Sequence, residues 1–269
     1  MHHDSLARAG APPLPKSLKV ARDGEIVIIR LSRPEKANAL DDATVLGLAA
    51  FLETPPEDAM AIVLAAEGEH FSAGLDLASV NELTLHENIT HSRTWHKAFE
   101  ALEFGKLPVV AVLHGAVVGG GLELAAACHV RVAEQSAFYA LPEGQRGIFV
   151  GGGGAVRLPR LIGASRMMEM MLTGRTYGAA EGLPLGFSHY VVENGDGFAK
   201  GIELARRIAG NSALSNYAVM HALPRIAETG PSSGYMFETL MAAITQGDEE
   251  AKARKKAFLE KRAAKVVHR

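Results

Sequence analysis

The chain contains one cysteine, Cys128, in 269 residues. A single thiol cannot build an intramolecular disulfide framework, and a reducing compartment, the cytoplasm, is expected. No run of 18 or more apolar residues occurs, so neither a spanning helix nor a membrane partner is expected. The first residues, MHHDSLARAGAPPLPKSL, lack the apolar stretch of a signal peptide, and residues 1–16 read as a mobile arm. The dinucleotide fingerprint fails on its third glycine: Gly119 and Gly121 are followed by Leu124, and Gly151 and Gly153 by Val156. GxxxxGK[ST], HExxH and GxSxG are missing, so no motif points to a nucleoside triphosphate, a zinc protease or a hydrolase elbow. The eleven histidines show no metal-ligand spacing. His91 and His96, five apart, are poorly placed for one helical face, and no metal is expected.

Charge of one sign is also scarce. The 28 basic and 30 acidic residues leave a net charge of −2, which does not suggest a polyanion partner. The balance hides an asymmetry. Residues 251–269 hold eight Lys or Arg against one acid, Glu260, leaving 20 basic and 29 acidic residues in the first 250. The basic tail has no interleaved aromatics, so no nucleic acid is expected.

Against these absences stands an ordinary globular composition, 48% hydrophobic and 22% charged. Residues 17–29 read as a hairpin turning at Asp23-Gly24. Asp41 or Asp42 can cap a helix running to about Glu53, which Pro55-Pro56 stops. The continuous apolar runs 61–68 and 109–114 have the pattern of buried strands. Residues 91–104 read as a helix with Trp95, Phe99 and Leu102 on one face, and 119–128 as a short apolar helix. Short strands follow at 130–132 and 137–140. This alternation predicts an α/β core with a largely parallel sheet over residues 17–195. Beyond it, 196–269 reads as four helices, at about 196–209, 213–228, 233–246 and 248–265.

Three glycine turns, at Ala73-Gly74, Gly119 to Gly121 and Gly151 to Gly154, each precede a helical pattern. A helix start presents unclaimed N–H groups suited to an oxyanion. Two carboxylates stand out beside them. Glu123 is the only charged residue between His114 and Arg131, and a carboxylate among apolar neighbours must be paired or used. Glu143 follows a strand end in ALPEGQRG, where an ordinary surface loop is the competing reading.

Six segments then match a family in order and spacing: LSRPEKANAL (31–40), EHFSAGLDL (69–77), HGAVVGGGLELAAACHVRVAE (114–134), ALPEGQRGIFVGGGGAVRLPRLIG (140–163), MLTGRTYGAAEG (171–182) and FLEKR (258–262). The sequence resembles the crotonase, or enoyl-CoA hydratase/isomerase, superfamily over about residues 18–265. The resemblance implies a crotonase-like spiral of repeated ββα units with a C-terminal helical region that builds trimers, often paired into hexamers. It implies acyl-CoA thioester substrates, with coenzyme A part of the substrate and no separate cofactor. It places an oxyanion hole at the N–H groups of Leu75 and Gly120, and a water-handling pair at Glu123 and Glu143. Glu123 would deprotonate water and a protonated Glu143 would deliver a proton to Cα of a 2-enoyl-CoA.

By the same resemblance, Lys36, Ala37, Ala73, Gly74, Asp76 and Gly119 line the substrate, while Phe258 and Lys261 reach a neighbouring subunit's CoA. Trp95, Phe99 and Phe149 are candidates for the acyl pocket, with plain core packing the competing reading for the first two. Ala78 stands where the family often has a basic residue, and Gly151 where dienoyl-CoA isomerases carry an aspartate. Hydratase chemistry is therefore expected. Isomerase, thioester hydrolase and lyase reactions remain alternatives, as does a non-catalytic CoA-ligand-binding protein.

Overall fold

The computed structural model describes residues 13–80 and 83–262. Much of the N-terminal arm, and Lys265 and Arg269 of the basic tail, lie outside the described residues. The described strands are β1 (Leu18–Asp23), β2 (Ile26–Leu31), β3 (Ala61–Ala66), β4 (Val109–Leu113), β5 (Ala116–Val118), β6 (Val130–Glu134), β7 (Phe138–Ala140), β8 (Tyr177–Gly178) and β9 (Tyr190–Val192). The helices of the first half are α1 (Asp42–Glu53), α2 (Leu85–Glu103), α3 (Gly120–Ala126), α4 (Gly154–Ile162), α5 (Ala164–Thr173) and α6 (Ala179–Leu185). Then come α7 (Gly197–Ala209), α8 (Ala213–His221), α9 (Leu223–Glu228), α10 (Pro231–Gly247) and α11 (Glu249–Leu259). The chain divides into two compact units, one ending at Ile208 and one beginning at Ala209.

In the first unit a six-stranded sheet runs β1-β2-β3-β4-β6-β9. The hairpin is present, with Gly24 at φ +59 in its turn and Leu18 opposite Leu31. Every other pairing in this sheet is parallel. The sequences AIVLAA and VVAVL are apolar at every position because a parallel sheet is covered on both faces. On one face, α7 lies so close that a Cβ on Gly201 would stand 2.6 Å from Val112 Cγ2.

A second, three-stranded sheet, β5-β7-β8, explains how distant segments meet. After the central strands of the large sheet, the chain adds a short extended segment to the small one and then turns. β4 is followed by β5 and β6 by β7, and β5 and β7 pair in parallel with Val118 beside Ala140. In the preceding repeat the short strand is reduced to Ser72, which bridges to Val117. Three successive turns, 73–76, 119–120 and 141–143, are thereby stacked side by side. The Val118 N–H donates to Ser72 O (3.0 Å), and the Gly119 N–H to Ala140 O (2.9 Å). This is the repeated ββα plan.

Some elements depart from expectation. α2 begins at Leu85, not His91, because the Thr84 side chain and the Glu87 carboxylate form a reciprocal capping box. No α-helix follows Gly74. Leu75 is held in a bridge to Leu40, and only one 3-10 turn, Leu77–Ser79, follows. The helix expected over 213–228 is two, α8 and α9, since Pro224 cannot continue the first.

Arg131 is 4% exposed, and its guanidinium donates to three backbone carbonyls: Phe187 (2.8 Å), Cys128 (2.8 Å) and Gly186 (3.3 Å). It ties the end of α3 to the segment before β9. Arg131→Met is expected to leave buried carbonyls unpartnered and to lower unfolding free energy by on the order of 3 kcal/mol, read from the denaturation midpoint. An unchanged midpoint would refute this clasp.

The second unit, taken by itself, buries little. Met220 of α8 and Gly234 of α10 are its buried helical residues, and α9 and α11 contribute none. Tyr235, Met236, Phe237, Leu240 and Ile244 of α10 are all at least half exposed. Among the described residues, no helix is long and apolar enough to cross a membrane.

Candidate functional site

The site is built on the three stacked turns. The first is braced by the loop before α1, where Ala37 and Asn38 adopt left-handed conformations (φ +49 and +53). Asn38 is 2% exposed, and its amide donates to the carbonyls of Glu67 and His70. The Ala73 N–H donates to Ala37 O, and Ser72 Oγ donates to Asn38 O while accepting from the Gly74 N–H. Gly74 takes φ +92, and a Cβ there would meet Val118 O at 2.7 Å, so this position requires glycine. The Leu40 N–H donates to Gly74 O and the Asp76 N–H to Leu40 O. In that parallel bridge the Leu75 N–H points away from Leu40, and it has no acceptor among the described residues.

The second turn supplies a matching donor. Gly119 (φ +53) reverses the chain after β5, and Gly120 opens α3 with its N–H beyond the reach of any intrahelical acceptor. A Cβ on Gly120 would lie 3.3 Å from Leu75 N. Two N–H groups without an acceptor among the described residues thus lie on adjacent turns. Trp95 packs against the same point, its Cζ3 3.1 Å from that Cβ.

Glu123, one turn further along α3, is 3% exposed. Its Oε1 accepts from the N–H groups of Gly152 (2.8 Å) and Gly154 (2.7 Å). Burial raises its pKa, while those two N–H groups and the charge of Arg157 pull it back. Arg157 also grips the glycine loop, donating to Gly152 O (3.1 Å) while paired with Glu103 (2.6 Å).

The third turn carries Glu143 at the start of a 3-10 turn after β7. It is 7% exposed, and its Oε2 is buried with no partner among the described residues. Its Oε1 would lie 2.6 Å from a Cβ on Gly119. Burial, and secondarily the charge of Glu123, push its pKa up to about 7. A protonated carboxyl is therefore available near neutrality, beside a second carboxylate and two free N–H donors.

Other expected residues fall into two groups. Lys36 and Arg33 both pair with Asp76 Oδ2, at 3.2 and 3.0 Å, which fixes the loop bearing Leu75. Burial raises the Asp76 pKa, but hydrogen bonds from Lys36 and Arg33 hold it below the usual value. Phe258 (59% exposed) and Lys261 (φ +57) lie in the second unit. Trp95 and Phe99 are fully buried, whereas Phe149 is 67% exposed. Ser72 and Asn38 are not singled out by the sequence, and the Gly151–Gly154 turn, read there as an oxyanion donor, has the Glu123 carboxylate as its acceptor. Ser72 and Asn38 show only as polar residues in apolar company, and a backbone donor shows no side-chain signal at all. No group of three or more His, Cys, Asp or Glu side chains among the described residues is placed to hold a metal ion.

A family model described as enoyl-CoA hydratase/isomerase matches residues 21–268. A probable enoyl-CoA hydratase of Mycobacterium tuberculosis is 33% identical over 259 residues, covering 94% of this chain and 99% of the relative. A crystal structure of a Rhodopseudomonas palustris protein superposes with a TM-score of 0.90 at 52% identity, covering 97% of this chain and 100% of that one. The enoyl-CoA hydratase of Bacillus anthracis superposes with a TM-score of 0.86 at 29% identity, covering 93% and 98%. The mixed α/β fold with C-terminal helices is common to these structures.

Proposed function

The chain belongs to the enoyl-CoA hydratase/isomerase family, and from that premise we propose that it hydrates a 2-enoyl-CoA thioester. The observation that carries this reading is the meeting of two buried carboxylates, Glu123 and Glu143, beside the unclaimed N–H groups of Leu75 and Gly120. The thioester oxygen accepts from both N–H groups, which stabilise the negative charge that develops there; a fixed donor of this kind is worth about 2.7–4 kcal/mol. Glu123, ionised and with Oε1 held by the glycine loop, uses Oε2 to take a proton from water. The water oxygen bonds to Cβ, and the π electrons move toward the thioester oxygen. Glu143 gives its proton to Cα, and the product is a 3-hydroxyacyl-CoA. One proton passing from Glu123 to Glu143 restores the site. Coenzyme A enters as part of the substrate, and the step needs no separate cofactor.

The exposed apolar residues of α10 support assembly into trimers, or into pairs of trimers. In such an assembly Phe258 and Lys261 reach the CoA of a neighbouring subunit. Ala78 supplies no charge near the first turn, so phosphate binding falls to Lys36 and Lys261. Lys261→Ala is then expected to raise the KM for the CoA ester severalfold with kcat nearly unchanged; an unchanged KM would make this residue an ordinary solvated charge.

The test of the whole reading is mass-resolved product analysis with crotonyl-CoA and a panel of acyl- and enoyl-CoA thioesters. A gain of one water on crotonyl-CoA supports hydratase chemistry. Free CoA, a shifted double bond or a cleaved acyl chain as the sole product would replace it with hydrolysis, isomerisation or lysis.

A further inference from the structure

Asp41 and Asp42 both offer a cap to α1, and only Asp41 is used as one: its Oδ1 accepts from the Thr44 N–H at 2.9 Å. Asp42 turns elsewhere. Its Oδ1 accepts from the indole Nε1–H of Trp95 at 2.8 Å, and His91 Nε2 stands 2.9 Å from the same oxygen. Asp42 is half exposed, whereas Trp95 is 2% exposed, so a rim carboxylate holds a buried ring. The indole is strung between two anchors. Its Nε1 end is tied to Asp42, and at the other end Cζ3 would stand 3.1 Å from a Cβ on Gly120. Phe99 packs edge-on behind it at 5.6 Å, and Phe99 in turn abuts Gly152, the loop that grips Glu123.

We propose that Trp95 is a specificity-determining residue, the wall of the acyl slot beside the thioester, and that Asp42 is its positioning residue. The inference rests on the acyl-CoA reading of the site. The ring edge stands against Gly120, whose N–H would receive the thioester oxygen, so a substituent on the adjoining acyl carbon would meet the indole. The slot accepts straight-chain acyl groups and excludes those branched at the carbon next to the thioester. A tether at Nε1 matters because a buried planar ring without it can tilt and widen the slot.

The test uses the full chain and two unreactive thioesters, butyryl-CoA and 2-methylbutyryl-CoA, with affinities from calorimetry. The wild type is expected to bind the branched ester about tenfold more weakly, the scale set by one misplaced methyl group. Trp95→Phe and Asp42→Ala are expected to erase most of that ratio, while Asp42→Asn, whose amide oxygen still accepts from the indole, retains it. Trp95 is the only tryptophan in the chain, so its emission reports this wall directly and is expected to shift with butyryl-CoA but not with free CoA. A ratio unmoved in both Trp95→Phe and Asp42→Ala, or a reduced melting temperature in Asp42→Ala without a change in ratio, overturns the proposal and leaves the acyl-CoA reading standing. Failure of the wild type to bind either thioester overturns both. Asp42 is half exposed, so its two variants keep the test available if Trp95→Phe does not fold.

Discussion

Glu143→Gln is expected to lower kcat/KM for crotonyl-CoA hydration by about 10²–10⁴-fold, the usual contribution of a positioned acid or base. Glu123→Gln is expected to do the same by removing the base, while both variants still bind butyryl-CoA. Full activity in either variant would sink the assignment. The two are distinguishable by pH. The Glu143 pKa is pushed up to about 7, so its proton-donating form is lost as pH rises through that value. Wild-type hydration should fall on that alkaline limb, and the residual rate of Glu143→Gln should lack it. Stability falls in the same direction. A carboxyl that titrates near 4.5 when unfolded and near 7 when folded keeps its proton only in the folded protein between those values, so raising the pH across that window destabilises the native state. Gln cannot ionise. The variant should therefore be more stable than wild type at pH 8 by on the order of 2 kcal/mol, with the difference shrinking toward pH 4. Equal denaturation midpoints at pH 8 would remove the burial argument for Glu143.

Gly120→Ala is expected to cost about 10²–10³-fold in kcat, comparable to the loss of an oxyanion donor. The added methyl would stand 3.3 Å from Leu75 N and 3.1 Å from Trp95 Cζ3, inside the space where a thioester oxygen would bind. The Gly120 backbone itself takes no left-handed φ, so the variant should fold. Free CoA should bind with little change, which would place the damage at the acyl end. A kcat within a few-fold of wild type would exclude this space as the oxyanion hole. Gly74→Ala is a less informative variant, because φ +92 and a 2.7 Å approach to Val118 O strain the fold itself.

How much of this is legible in the sequence depends on what leaves a side-chain trace. The parallel sheet is legible because β3 and β4 are apolar at every position, a pattern that survives without knowledge of partners. Glu123 is legible as a lone charge in an apolar helix, and Glu143 mainly through the family resemblance. The small sheet is not legible as a sheet, since strands of two or three residues are too short to show a period of two. The early start of α2 is hidden by its polar first turn, although the Thr84 and Glu87 capping box announces it to a reader looking for caps. The Gly151–Gly154 turn is legible as a set of N–H donors, but that Glu123 is what they hold is not, because a backbone donor carries no mark of its partner. For Trp95 the core-packing reading is met by its burial, and its place against Gly120 is the observation on which the acyl-wall proposal rests.

The pairing of Val118 with Ala140 carries a consequence for which changes the chain can absorb. Gly120 lies two residues beyond Val118 and Glu143 three beyond Ala140, so those short spans act as rulers measured from one rung of the small sheet. A single inserted or deleted residue in either span would swing the carboxylate or the N–H off its mark, whatever residue was added. The return 127–129 between α3 and β6 sets no such distance to the site, and its constraint is of another kind, the Cys128 carbonyl held by Arg131. A change of length there would be felt as lost stability, whereas a change next to the Val118–Ala140 rung would be felt as lost chemistry in a chain that still folds.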